Sequence, residues 1–292
     1  MGFREEKDSM GTVRVPEGAH YGSQTQRAVE NFPASGLAVP APLILALARI
    51  KRRAAQVNTA LGLLGEDLAS AIATAAGEVE SGDLDDQFVV DLFQTGSGTS
   101  TNMNMNEVIA SRANEMLTGK RGGRSPVHPN DHVNLGQSSN DIIPTALHLA
   151  VLQEIEERLC PALAALAGRL GKLRDRFDHI PKIGRTHLQD AVPMSMGQAF
   201  GGYARQAEAG IERLRAVQPR LSELALGGTA VGTGINTHPE FANQVIRDLA
   251  AETGLPLRRA TNPFEAQAAR DAAVETSGAL RTVAASLVKI AN

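Results

Sequence analysis

The sequence predicts a mainly α protein in two parts: a mixed, mainly helical N-terminal domain over residues 1–139, and a central bundle of long helices over 140–292. Three observations carry this expectation. Residues 144–177, 191–217 and 263–292 are Ala/Leu-rich with apolar side chains at helical spacing, far longer than the usual helix of about 11–12 residues. Strand-type alternation is almost absent after Asn140. Gly227, Gly228, Gly232 and Gly234 mark a loop between the last two long stretches.

The elements follow in order. Residues 8–33 read as irregular, with a short alternating TVRVP segment suited to a small hairpin. From Pro42, PLILALARIKRRAAQVNTALGLL keeps apolar residues on one helical face. GEDLASAIATAAGEVESG opens with acidic residues, which suit a helix N-terminus, and ends at Gly82. FQTGSGTSTNMNMNEVIASRANEML is a polar loop leading into a helix, and a basic Gly-containing connector, GKRGGRSPVHPND, follows at 119–131. The three long helical stretches complete the chain.

Composition narrows the function classes. A formal net charge of −3 gives no basic field to attract nucleic acid or anionic lipid. Aromatic residues make up 3% with no Trp, which disfavours base-stacking platforms. Cys160 is the single cysteine, so an internal disulfide and a multi-cysteine metal site are both excluded, and its apolar surroundings predict a buried core thiol. The charged start MGFREEKDSMG lacks the apolar core of a signal peptide. LAVPAPLILALA, the longest apolar run, is too short to span a bilayer. The expected compartment is the cytoplasm, without membrane or nucleic-acid partners.

Three segments share one chemistry: Gly96 to Asn102 (GSGTSTN), Gln137 to Asp141 (QSSND) and Arg185 to Asp190 (RTHLQD). Each sets short hydroxyl or amide side chains before a stretch expected to be helical. Ser, Thr, Asn and Asp are ordinary N-caps. Helix N-termini also attract anions through unpaired N–H groups and a partial positive charge. Both readings stand at this level. GSGTSTN is no P-loop, because no GK[ST] follows. In VHPNDHVN, His128, Asp131 and His132 match no familiar zinc spacing, and a turn around Pro129, Asn130 and Asp131 is the simpler expectation. His20, His148 and His179 read as structural or exposed, His238 as shaping a turn, and Met103 and Met105 as packing.

GSGTSTNMNMNEVIA, HPNDHVNLGQSSND, IGRTHLQDA, LALGGTAVGTGINTHPEF and NPFEAQAARDA, in that order, resemble the class II fumarases. These are the metal-free fumarate hydratases of the fumarase/aspartase superfamily, and the resemblance runs from about Asp8 to the last residue. It implies the L-aspartase-like fold, no cofactor, a dicarboxylate substrate, and a homotetramer whose active sites are shared between subunits. It further implies that His187 handles the hydroxyl proton through a bound water, with Thr186 touching substrate beside it. Ser97 and Thr99 would bind one carboxylate, as would Ser138, Ser139 and Asn140. His128, Pro129, Asn130 and Asp131 would form a secondary dicarboxylate site. There the family often has a basic residue three positions before the histidine, where this chain has Ser125, with Arg124 one earlier.

The chemistry agrees with the residue types. Removing a proton next to a carboxylate builds an aci-carboxylate, which needs fixed donors where its charge collects. A histidine exchanges protons near neutrality. Family members also carry a GSSxMPxKxN loop with the serine that takes the carbon-bound proton, and nothing in residues 1–292 matches it. SLVKIAN lies inside an uncapped helical pattern, so a C-terminally truncated chain with negligible activity of its own is the expectation. The alternatives are an aspartate ammonia-lyase of the same superfamily and a non-catalytic helical assembly fragment.

Overall fold

The computed structural model describes residues 2–292 and is mainly α. The chain opens with an antiparallel hairpin, β1 (Phe3–Asp8) and β2 (Gly11–Pro16), with Val13 opposite Glu6 and Val15 opposite Arg4. Alternation buries Val13 and Val15 in a small cluster with Ala19. The region expected to be irregular also holds a helix, α1 (Ser23–Asn31). A distant carboxylate organises its N-terminus: Glu107 accepts from the backbone N–H groups of Gly22, Gln24 and Thr25 at 2.9, 2.9 and 3.0 Å. Local reading of 23–31 has no access to that partner.

Next come α2 (Ala41–Ala60), α3 (Glu66–Glu80) and α4 (Thr99–Thr118). Along α2, Ile44, Leu47, Ala54 and Val57 are buried at helical spacing, the pattern that buries one face of an amphipathic helix. Arg52 forms ion pairs with Glu80 of α3 and Glu252 of α8 (Phe241–Thr253). Arg53 adds a second contact to Glu252 at 2.7 Å, so the three helices share one charge network. Met103 and Met105 of α4 are buried, as packing residues should be.

Helical structure then runs through α5 (Ser139–Gln153), a π turn at Glu154–Leu159, and α6 (Cys160–Arg176). Pro161 supplies no N–H, which removes one i to i−4 bond where the π turn ends. Cys160 is free and buried.

Two expectations are corrected beyond this point. The segment around Arg185 to Asp190 does not open a helix. It is the end of an antiparallel hairpin, β3 (Pro181–Thr186) and β4 (Gln189–Ser195), and α7 (Met196–Leu221) starts only afterwards. Pro193 is paired with Ile183 inside this hairpin, so the apolar run after Asp190 is partly strand. The single helix expected over 263–292 is divided into α9 (Pro263–Ala268) and α10 (Asp271–Ala291). Ala269 is extended (φ −107°, ψ 159°), and Asp271 restarts the helix with an acidic first turn. Short strands β5 (Glu223–Leu224) and β6 (Arg258–Arg259) pair in parallel between α7 and α9 in sequence.

The chain forms two compact units, and neither follows the linear partition at 139/140. The first joins residues up to Val151 with 222–270, and the second joins 152–221 with 271–292. The return of 222–270 to the first unit has a visible cause in Asp141, which accepts from Gly227 N–H at 3.1 Å and Thr229 N–H at 2.9 Å. The second unit is built on α6, α7 and α10. Leu163 of α6 and Val283 of α10 meet over Gly210 of α7, where an added Cβ would lie 3.3 Å from Val283. A small residue there lets the helices approach closely. Of α10, Thr276 and Val283 are buried, while Val274 and Val288 are exposed.

Candidate active site

The first polar loop lies at the N-terminus of α4. Gly98, at φ +68°, turns the chain into the helix, and an added Cβ would sit 3.0 Å from Ile143 of α5. The Gln94 side chain holds the turn, accepting from Ser100 N–H at 2.9 Å and donating to the Thr101 hydroxyl. Ser97 and Thr99 stay exposed, with their hydroxyl oxygens 2.9 Å apart.

The second loop leads into α5. Ser138 Oγ accepts from Asn140 N–H at 3.2 Å, and Ser138 N–H donates to Asp141 at 2.9 Å. The two loops meet through Asn102, whose Nδ2 donates to Ser139 Oγ at 2.9 Å and to Asn134 Oδ1 at 3.2 Å. A third segment closes on them: Asn140 Nδ2 donates to the Ala230 carbonyl at 2.8 Å. Here Thr229 is held at φ +55°, an unusual conformation for a β-branched residue, and its buried hydroxyl has no partner among the described residues.

Between the second loop and residues 229–236 lies a cavity of about 460 Å³ whose lining includes Asn130, Asp131, Gln137, Ser138, Thr229 and Asn236. That size is within the usual range of small-molecule sites, about 300–1,000 Å³. The polar part of its lining is hydroxyls, amides and one carboxylate, and Leu135, Ala230 and Ile235 supply an apolar part.

Beneath the loops lies Lys51 of α2, fully buried. Its Nζ donates to Asn134 Oδ1 at 2.8 Å and Gln137 Oε1 at 2.9 Å. Burial pushes this ammonium down to about 7, opposed by the field of Asp141. Burial likewise raises Asp141 to about 6, against the N–H groups of Ser138, Thr229 and Gly227 and the Lys51 charge.

His128 and His132 hold a turn. His128 Nδ1 faces the N–H groups of Asn130 and Asp131 at 3.3 and 3.2 Å, and His132 Nδ1 accepts from His128 N–H at 2.9 Å. His128 Nδ1 is also 3.2 Å from Asp131 Oδ2, a contact that needs a proton on Nδ1. Burial lowers the pKa of His128, which favours the neutral ring as an acceptor of the backbone bonds. Pro129 is buried at the turn, with Asn130 and Asp131 exposed. Among the described residues, no group of three or more His, Cys, Asp or Glu is placed to hold a metal.

Thr186 and His187 belong to the second unit, at the tip of the β3–β4 hairpin. Both are exposed, and Leu188 beside them is 90% exposed at φ +57°. The remaining histidines fill structural or turn positions. His20 is buried and depressed to about 4 by burial and then by the Arg121 charge, His179 is exposed, and His238 accepts from Glu240 N–H at 3.2 Å. No described helix is long and apolar enough to cross a membrane.

A family model described as lyase matches residues 11–292. The chain belongs to this lyase family. It is 56% identical over 290 residues to the class II fumarate hydratase of Nitrosomonas europaea, covering 99% of this chain and 63% of that protein. Over 270 residues it is 58% identical to the class II fumarate hydratase of Halobacterium salinarum, covering 92% of this chain and 57% of that protein. Among solved structures, it superposes on the class II fumarase of Schistosoma mansoni with TM-score 0.96 at 40% identity, covering 99% of this chain and 64% of that one. This lyase chain thus spans 57–63% of the length of those two curated relatives, and its fold is fumarase-like.

The structure of this lyase also brings in Lys51, which lies outside every motif, and gives contacts to Asn102, Asn134, Gln137 and Thr229, which lie within the motifs but had no part assigned. One signal was present. Leu47, Lys51, Ala54 and Asn58 keep core spacing along α2, so a lysine stands where an apolar residue is expected.

Proposed function

We propose that the protein is a class II fumarate hydratase, adding water reversibly and in anti fashion to fumarate to give (S)-malate in the tricarboxylic acid cycle. The observation that carries this reading is the junction of the two polar loops at Asn102 and Ser139, in a chain more than half identical to proteins bearing that name. Ser97 and Thr99 take one substrate carboxylate, and Ser138, Ser139 and Asn140 the other. His187, through a bound water, exchanges the proton of the hydroxyl that adds or leaves, and Thr186 contacts substrate beside it. Charge that collects on the carboxylate next to the reacting carbon is met by fixed hydroxyl and amide donors. His128, Pro129, Asn130 and Asp131 form a secondary dicarboxylate site.

The exposed hairpin tip supports a shared active site. His187 is exposed at the hairpin tip, where its imidazole is accessible to another copy of the chain. A homotetramer, in which the hairpin of one copy serves the loops of another, accounts for a catalytic imidazole that is exposed in a single chain. The proposed compartment is the cytoplasm, and the chemistry needs no metal.

The test uses the protein at complete length. Malate is supplied, and formation of the fumarate double bond is followed by ultraviolet absorbance, with aspartate as the competing substrate. Malate dehydration that falls about 10²- to 10⁴-fold in His187→Asn supports the reading. Turnover of aspartate alone sinks it.

A further inference from the structure

We propose that Lys51 is a positioning residue for the carboxylate seat at Ser138 and Ser139: it fixes the polarity of the amide chain beneath that seat and places a positive charge under its neutral donors. This inference rests on the dicarboxylate reading above. An ammonium only donates, so both amides must turn their oxygens toward Nζ. Their NH₂ groups are accordingly directed elsewhere. Asn134 Nδ2 donates to the Gln137 carbonyl at 3.2 Å, and Gln137 Nε2 to the carbonyls of Val133 and Leu135 at 3.1 and 3.2 Å. Asn134 Oδ1 then receives Asn102 Nδ2, and the same NH₂ group donates to Ser139 Oγ. With its oxygen already accepting, Ser139 has its own hydrogen to give. The order runs Lys51 to Asn134, Asn102 to both Asn134 and Ser139, and Ser139 outward to an anion.

A structural role alone does not account for the residue. A buried ammonium held by two neutral amides carries a desolvation penalty that a neutral side chain at the same place avoids. The charged group whose field reaches Lys51 is Asp141 of α5, already engaged by three backbone N–H groups. The amides of Asn134 and Gln137 face it from the second loop. Asp141 offsets part of this charge, and an anion at the seat would offset more of it.

The depressed ammonium adds a pH signature. Lys51 is charged below about 7 and neutral above. A bound dicarboxylate favours the charged form, so affinity is greatest on the acid side and declines as pH rises through that value.

The experiment titrates the complete-length protein with succinate, an unreactive four-carbon dicarboxylate, across this pH range. Lys51→Met is expected to bind about tenfold more weakly on the acid side and to lose the part of the pH slope centred near 7, keeping only what Asp141 contributes near 6. A variant with the parent's affinity and slope overturns the inference, because a purely structural lysine affects stability without setting that slope. Should Lys51→Met fail to fold, the Nζ resonance of Lys51 in ¹⁵N-labelled parent decides. Its titration midpoint is expected to rise with saturating succinate, and an unmoved midpoint overturns the proposal. A parent that binds succinate with the predicted slope but does not dehydrate malate sinks the hydratase reading alone. An active parent with an unaltered Lys51→Met sinks the Lys51 inference alone.

Discussion

Glu107 and Thr25, 82 positions apart, are joined twice: the carboxylate accepts from the Thr25 hydroxyl at 2.7 Å and from its N–H at 3.0 Å. With Gly22 and Gln24 added, one buried side chain receives four donors at the start of α1. Glu107→Gln keeps the shape but turns an NH₂ toward some of those donors. The expected loss is about 2–4 kcal/mol, from a buried group left facing like partners. Urea unfolding near neutral pH measures it, and an unchanged midpoint would refute the capping role.

Leu188 stores strain at the hairpin tip. A leucine at φ +57° costs about 1 kcal/mol relative to the ordinary conformations, and 90% exposure gives its side chain little to recover within this chain. Leu188→Gly is expected to stabilise the isolated fold by about 1 kcal/mol in thermal unfolding. If the hairpin serves another copy, the same variant lowers turnover despite the added stability.

Asp91 gives an acid limb of defined sign. It accepts from the N–H groups of Ser35, Gly36 and Phe93 and from the Ser35 hydroxyl, and these bonds, led by Ser35 N–H, hold the carboxyl at about 2 against an ordinary 3.8. A depressed carboxylate contributes its full stability above the unfolded value. That contribution disappears as pH falls from about 4 to about 2. Denaturant midpoints across this interval should fall more steeply for the parent than for Asp91→Asn.

Much of the fold was readable, and the failures have physical causes. Long helical periodicity gave the mainly α class and the helical run ending at Arg176. At RTHLQD the local residues suit a helix cap and a hairpin tip equally well, and the pairing of Gly184 with Val192 decides between them. The break at Ala269 was hidden because Ala and Arg fit a continuous helix, and only backbone conformation shows the interruption. Within the candidate site, the two polar loops were visible as hydroxyl- and amide-rich helix starts. Their support was not, because Lys51 reaches Asn134 across 83 positions. A single sequence carries no label for such a partner.

The divided sequence of the first unit also bears on how the protein is made. Asp141 finds Gly227 and Thr229 86 and 88 positions later, so the partners of an early carboxylate are translated long after it. Through that interval the nascent chain carries Asp141 without those two donors, while the intervening helical segment has near neighbours in sequence to fold against. Such distant closure slows folding and lengthens the exposure of unfinished surface. The loop after Leu226 thus closes on a carboxylate made long before it, and translation speed through 222–270 is a variable on which the yield of folded protein should depend.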